Sequence, residues 1–401
     1  METKVISTIK GHARVDVADV LRGLAVMGII ILHSIEHFNF YSFPDTTTQS
    51  DWLNFTDKAI WNGLFFMFGG KAYAVFALLF GFSFFIQNDN QRMRGNDFRL
   101  RFCWRLILLF LIGNINLFLI GNINASFFTA EVLVLYSLVG FILPLTCRLK
   151  DKWVFLLACV LLIQPLPLYY VIRACLDPSF ITPAIPTRSF WDATFAVQSH
   201  GSFLETVRVN LWEGQIASLA WAWDHGRVFQ TAALFLLGML IGRRGLFQKE
   251  NLKVWNKILA GALIAFFPLY GLGNMLPAFI VNKSILTPLS LIITSLSNFS
   301  FMLVLVSGVI FAFYNTNMHY LLMKITPYGK MSLTNYITQS IVGSMLYYNW
   351  GFALHNQCGI TVSCLAGIAF FILQFTFCRW WMSHHSHGPM EYIWKRATWL
   401  K

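Results

Sequence analysis

The residues best suited to chemistry in this chain cluster in one apolar stretch near its start. Arg22, His33, Glu36 and His37 punctuate the run from Leu21 to Phe40. Arg22 and His33 are eleven residues apart, and eleven steps of about 100° return a helical side chain to nearly the same face, about 16 Å along the axis. One helix face would then carry a cation at one end and an imidazole near the other. Glu36 and His37 follow His33 at i+3 and i+4. A carboxylate one turn from an imidazole orients the ring and raises its basicity, as a general base requires. The alternative is an ordinary interfacial helix end with Arg22 snorkelling to the surface. A second candidate is Lys71, which follows Gly69-Gly70 inside another apolar stretch. An ammonium there needs an interior partner or water, and the glycines permit close approach or a local break. Glu131 is a possible partner. Asn114, Asn116, Asn122 and Asn124 make an amide-rich segment, while Ser332, Asn335, Gln339 and Gly343 recur at helical spacing. The latter stripe reads as a packing or cavity-lining face rather than a catalytic one.

The elements that must position these residues are membrane helices. Only 12% of the 401 residues are charged, 56% are apolar and 39 are Phe. A soluble domain of this length needs more polar surface than that. Ten stretches approach the roughly 20 apolar residues that a span requires: 20–36, 60–86, 103–120, 127–147, 153–172, 228–247, 255–280, 288–314, 331–350 and 359–381. The expectation is an all-α polytopic bundle of about ten transmembrane helices in the cell inner membrane, with both termini cytoplasmic. The net charge of +12 supports that topology, since 23 of the 30 Lys and Arg fall in the segments it places inside. The exceptions are Lys58, Lys71, Arg173, Arg188, Arg208, Arg227 and Lys283. The basic excess is therefore a topology signal, and nucleic acid is not an expected partner. Residues 1–19 read as a cytoplasmic segment and 20–381 as the bundle. The stretch 173–227 reads as an outer loop, either interfacial helices lying on the membrane or a lid over a pocket, and 382–401 as a cytoplasmic amphipathic tail.

Several chemistries lack their signatures. There is no phosphate-binding P-loop, dinucleotide fingerprint or nucleophile elbow. The seven Cys are scattered, without a Cys-x-x-Cys; Cys175 and Cys358 could pair, but buried free thiols are the simpler reading. His384, His385 and His387 have no companion at ligand spacing, so no metal is expected.

Three passages carry a resemblance. They are Arg14 to Gly28, Gly70-Lys71 with Phe76 to Gly81, and Tyr328 to Ser340 together with Gly388-Pro389-Met-Glu391-Tyr-Ile-Trp394-Lys395-Arg396. In these the chain resembles the YeiB-like membrane proteins, a family defined as a domain of unknown function, from residue 14 to its end. More distantly it is similar to membrane-embedded acyltransferases, which carry an Arg, ten residues, then a His in the first span. That similarity implies His33 as the catalytic base and Arg22 as a residue holding coenzyme A. The chain departs from the closer family at three positions. Many members have Asn where His33 stands, the His expected near the end of the third span is Asn116, and the Asp expected at the start of the fourth is Glu131.

The expected function is acyl transfer from acyl-CoA, such as acetyl-CoA, to a glycan-type or other small-molecule acceptor. Arg22, Arg99 and Arg101 would meet the donor's phosphates, His33 tuned by Glu36 would take the acceptor's proton, and Lys71 would face the oxyanion. The rival is a permease for a small polar or anionic solute, its path lined by Lys71, Glu131 and the Asn-rich segment. A non-catalytic envelope-assembly scaffold is a third reading. The oligomeric state is open.

Overall fold

A computed structural model describes residues 15–114, 124, 127–129, 132–183, 185–355 and 357–399. These residues are predominantly helical, and no strand occurs among them. The first four helices are α1 (Asp16–Ile35), α2 (Asp51–Met67), α3 (Ala72–Met93) and α4 (Arg99–Asn114). Next come α5 (Val132–Val139), α6 (Ile142–Thr146), α7 (Asp151–Leu162) and α8 (Pro165–Leu176). They are followed by α9 (Thr187–His200), α10 (Phe203–Val209), a π turn at Asn210–Gly214, α11 (Gln215–Asp224) and α12 (Arg227–Arg243). The chain then forms α13 (Leu252–Phe279), α14 (Lys283–Asn315), α15 (His319–Met323), α16 (Thr326–Lys330) and α17 (Ser332–Tyr347). It closes with α18 (Ile360–His384) and α19 (Pro389–Thr398).

Among the described residues, five stretches are long and apolar enough to cross a membrane: Asp16–Ile35, Asp51–Met93, Lys249–Phe279, Lys283–Asn315 and Ile360–His384. Two bent pairs, α7 with α8 at 51° and Phe203–Asp224 with α12 at 73°, raise the number to seven when each pair counts as one span. The chain thus has the helices of a membrane protein, with five to seven candidate spans rather than the expected ten. Local breaks account for the difference. The expected span 127–147 is the short apolar unit Val132–Thr146, divided near Gly140. The expected span 331–350 becomes α17, only 16 residues long and rich in Ser, Thr, Asn and Gln. Part of the expected span 103–120 lies outside the described residues. The stretch 173–227, read from sequence as a loop, is largely helical, and its end joins the second bent pair.

Packing sorts the spans. In the most apolar 18-residue stretch of Asp16–Ile35, 78% of the residues are buried, against 11% in that of Lys249–Phe279. A helix that is apolar and enclosed all round belongs in the interior, so α1 forms the centre of the bundle and α13 its periphery. Without a hydrophobic drive between helices in lipid, small residues at crossings set how closely helices meet. A methyl group on Gly81 of α3 would overlap the Phe235 carbonyl of α12, and one on Gly238 would overlap the Leu78 carbonyl. The second stretch is broken between α2 and α3. Gly70 there adopts φ +72°, which glycine tolerates without a steric penalty. A Cβ on Gly70 would also lie 2.7 Å from Asn298 Nδ2.

Candidate functional site

Helix α1 delivers His33 to its last turn and ends at Ile35. The chain then folds back, with the Tyr41 amide donating to the Glu36 carbonyl at 3.1 Å. This reversal puts the Glu36 carboxylate between two imidazoles. Its Oε1 is 3.4 Å from His33 Nδ1 and 3.5 Å from His37 Nε2, while the Tyr41 hydroxyl donates to Oε2 at 3.4 Å. Phe128 meets the edge of the His33 ring, its centroid 5.0 Å away. Trp191 of α9 stacks on His37 at 5.9 Å. The 173–227 region therefore covers the cluster. His37 lies beyond the end of α1, and burial holds its pKa down at about 4, against the opposing pull of Glu36. The three side chains offer ligand atoms within 4.8 Å of one another, so the trio could hold a divalent cation.

His33, Glu36 and His37 line a cavity of about 390 Å³. Tyr73, Trp221, Arg227 and Asn298 line the same cavity. On α1 the lining reaches Ile29, two turns short of Arg22. The cavity does not extend along that helix face to the arginine.

Arg227 escaped notice as a site residue in the sequence. It begins α12, immediately after Gly226 in the left-handed conformation. Its guanidinium lies over the rings of Tyr73 (4.5 Å) and Trp221 (5.4 Å) and donates to Gln230 Oε1 at 3.0 Å. Tyr73 donates its hydroxyl to the same oxygen. The signal was present in the sequence: Arg227 is one of the seven cations that the topology leaves unexplained.

The other predicted residues are dispersed. Arg22 pairs with Asp19 at 2.6 Å and donates to Ser83 Oγ at 2.9 Å. Lys71 caps α3 outside the cavity lining, with Nζ donating to the Phe65 carbonyl at 3.3 Å between the rings of Phe66 and Phe301. Arg99 pairs with Asp97 at 2.7 Å and lines a separate polar cavity of about 1010 Å³, which also contains Arg92, Arg148, Arg243 and Arg244. Arg101 stacks on Trp399 at 4.6 Å. Asn335 donates to the Tyr328 carbonyl at 3.0 Å, and Gln339 donates to the Tyr328 hydroxyl at 3.1 Å. Both also belong to a buried network through Gln374. Asn116 and Glu131 lie outside the described residues.

Comparison with known proteins adds a family signal. Residues 241–401 match a family model described as "Protein of unknown function (DUF418)". Over nearly its full length the chain is also similar to two Bacillus proteins. One is the "Uncharacterized protein YxaH" of Bacillus subtilis (strain 168), 25% identical over 97% of this chain and 95% of the relative. The other is the "Uncharacterized 39.9 kDa protein in amylase 3'region" of Bacillus acidopullulyticus, 23% identical over 96% and 94%. No solved structure matches the chain.

The segment matched by the family model includes a structural clasp. Glu391 of α19 accepts from the amides of Leu333 and Thr334 at 2.7 and 3.1 Å, and from the Thr334 hydroxyl at 2.5 Å. It thereby satisfies amides that the first turn of α17 leaves without helical partners. Trp394 packs under Arg105, 4.2 Å from its ring. The motif passages 328–340 and 388–396 thus meet in one contact, and Tyr336 of the first passage also lines the histidine cavity.

Proposed function

We propose that the protein is an acyltransferase of the cell inner membrane that moves an acyl group from acyl-CoA to a hydroxyl of a glycan-type acceptor. The observation that carries this reading is the His33–Glu36 pair facing a 390 Å³ cavity at the end of the enclosed helix α1. His33, oriented by Glu36, takes the proton of the acceptor hydroxyl. The oxygen attacks the thioester carbonyl carbon, the C–S bond breaks, and the coenzyme A thiolate takes the proton from the imidazolium. Arg227 lines the same cavity, whereas Lys71, expected from sequence to face the oxyanion, is not among its lining residues. The arginine-rich cavity beside Arg99 suits the donor's phosphates. A cytoplasmic placement of both termini belongs to the same proposal, supported by the basic residues of the segments it turns inward.

The cavity linking the histidines with Arg227 also favours a second reading, a permease for an anionic solute. Thermal unfolding of the purified protein separates the two. The enzyme reading predicts stabilisation by micromolar CoA and acetyl-CoA. No shift with either, together with solute flux into vesicles bearing the protein, contradicts it.

A further inference from the structure

Arg227 stands at a junction. With Asn298 it lines both the histidine cavity and a second cavity of about 770 Å³, which Lys283 and His225 also line. A guanidinium at least partly withdrawn from water normally has a carboxylate partner, because an unpaired buried charge is costly. Among the described residues, Arg227 has no ion pair. The nearby Asp224 accepts from Thr187 instead. The buried Arg227 Nε has no hydrogen-bond partner, although Nη1 is held by Gln230. The rings of Tyr73 and Trp221 fix the plane of the group. Across from it, the Asn298 amide makes no hydrogen bond among the described residues. Gly70 leaves room for both: a Cβ there would lie 2.7 Å from Asn298 Nδ2 and 3.4 Å from Arg227 Nη2. A second cation, Lys71, adjoins the same break, buried and likewise without an ion pair among the described residues.

From this arrangement we infer that Arg227 and Asn298 form a binding site for an anionic group, a carboxylate or phosphate carried by the substrate, at the point where the two cavities meet. The unsatisfied N–H groups donate to the anion's oxygens, and Lys71 adds favourable field. A planar guanidinium suits both anions because it presents paired donors. Assigning the anion to the acyl acceptor rests on the acyl-transfer reading; the binding of the anion does not. The substrate class is then an acidic sugar, a phosphorylated saccharide or the phosphate of a lipid-linked one, entering through the larger cavity.

The test uses full-length protein in phosphatidylcholine nanodiscs and labelled inorganic phosphate at constant ionic strength, with acetate as competitor. Saturable millimolar binding is expected in the wild type. Arg227→Gln should weaken it at least tenfold and Asn298→Ala at least threefold, whereas the exposed Arg188→Gln should leave it unchanged. A second arm replaces part of the lipid with phosphatidylglycerol. Loss of phosphate binding there, restored by Arg227→Gln to the level that variant shows in phosphatidylcholine, identifies a lipid headgroup as the occupant and supports the site. Phosphate binding that survives Arg227→Gln, or no saturable response to either anion or to the lipid, overturns it. If Arg227→Gln does not fold, Asn298→Ala decides on the same criterion. His33→Ala should bind phosphate like the wild type, so failure of the catalytic reading and failure of this site are distinguishable.

Discussion

At the scale of single residues, the site depends on how a carboxylate is shared. Glu36 faces His33 and His37 at nearly equal distances, yet the two imidazoles have different surroundings. Both rings line the cavity and meet Phe128, but only His37 is stacked on Trp191, and burial keeps it neutral. The pKa of His37, lowered to about 4, has a consequence for stability. An unfolded imidazole takes up its proton near pH 6.5, whereas the folded one resists until about pH 4. Between those values the unfolded state binds more protons, so stability falls with falling pH; above the upper value this histidine contributes no slope. The effect of this one group is at most about 3 kcal/mol. Thermal melting from pH 7.5 to 4.5 should show a smaller decline for His37→Gln than for the wild type. Equal declines would show that His37 is not held neutral. Much of this scale was legible in sequence. The spacing of His33, Glu36 and His37 indicated a carboxylate within reach of imidazole. Arg227 was not recognised, because its partners Tyr73, Trp221 and Asn298 come from distant segments and only the fold brings them together.

At the scale of elements, glycines determine what the helices can do. At the α3–α12 crossing Gly81 abuts the Phe235 backbone and Gly238 the Leu78 backbone, without intervening side chains. Gly238→Val should force these helices apart and cost about 2 kcal/mol or more, as overpacking of a tight contact does. Its melting temperature should fall well below that of Gly308→Ala, whose added methyl meets nothing within 4 Å. Equal melting temperatures would show that the crossing is looser than described. Apolar runs identified several of these helices correctly, α1 and α18 among them. Hydropathy did not resolve their interruptions. Gly70 divides the expected span 60–86 at the point where Asn298 and Arg227 approach, a requirement of tertiary contact that leaves little trace in an apolar count. Trp191, read as part of a loop, sits on an amphipathic helix that covers the histidines.

Across the whole molecule, an enclosed central helix carries Arg22 near one end and His33 near the other, with two chemically different cavities. One is rich in arginine; the other is lined largely by aromatic and aliphatic side chains, together with two imidazoles and the Arg227 guanidinium. That contrast suits a donor arriving on the basic face and an acceptor held beside His33. It also shows where the sequence-level mechanism needs revision, since the histidine cavity stops two turns short of Arg22 and the donor must reach His33 by another path. The expected ten spans include Val132–Thr146 and α17, which are too short among the described residues to count as crossings. Parity now matters for orientation, since an even number of spans returns the chain to its starting side and an odd number does not. The central claim is nevertheless local, that His33 is the base for acyl transfer. It is tested most directly by the rate at which purified protein in liposomes moves label from acetyl-CoA to acceptors in an envelope extract, wild type against His33→Ala. The account predicts a fall of about 100-fold or more with the fold intact; transfer by His33→Ala at the wild-type rate would contradict it.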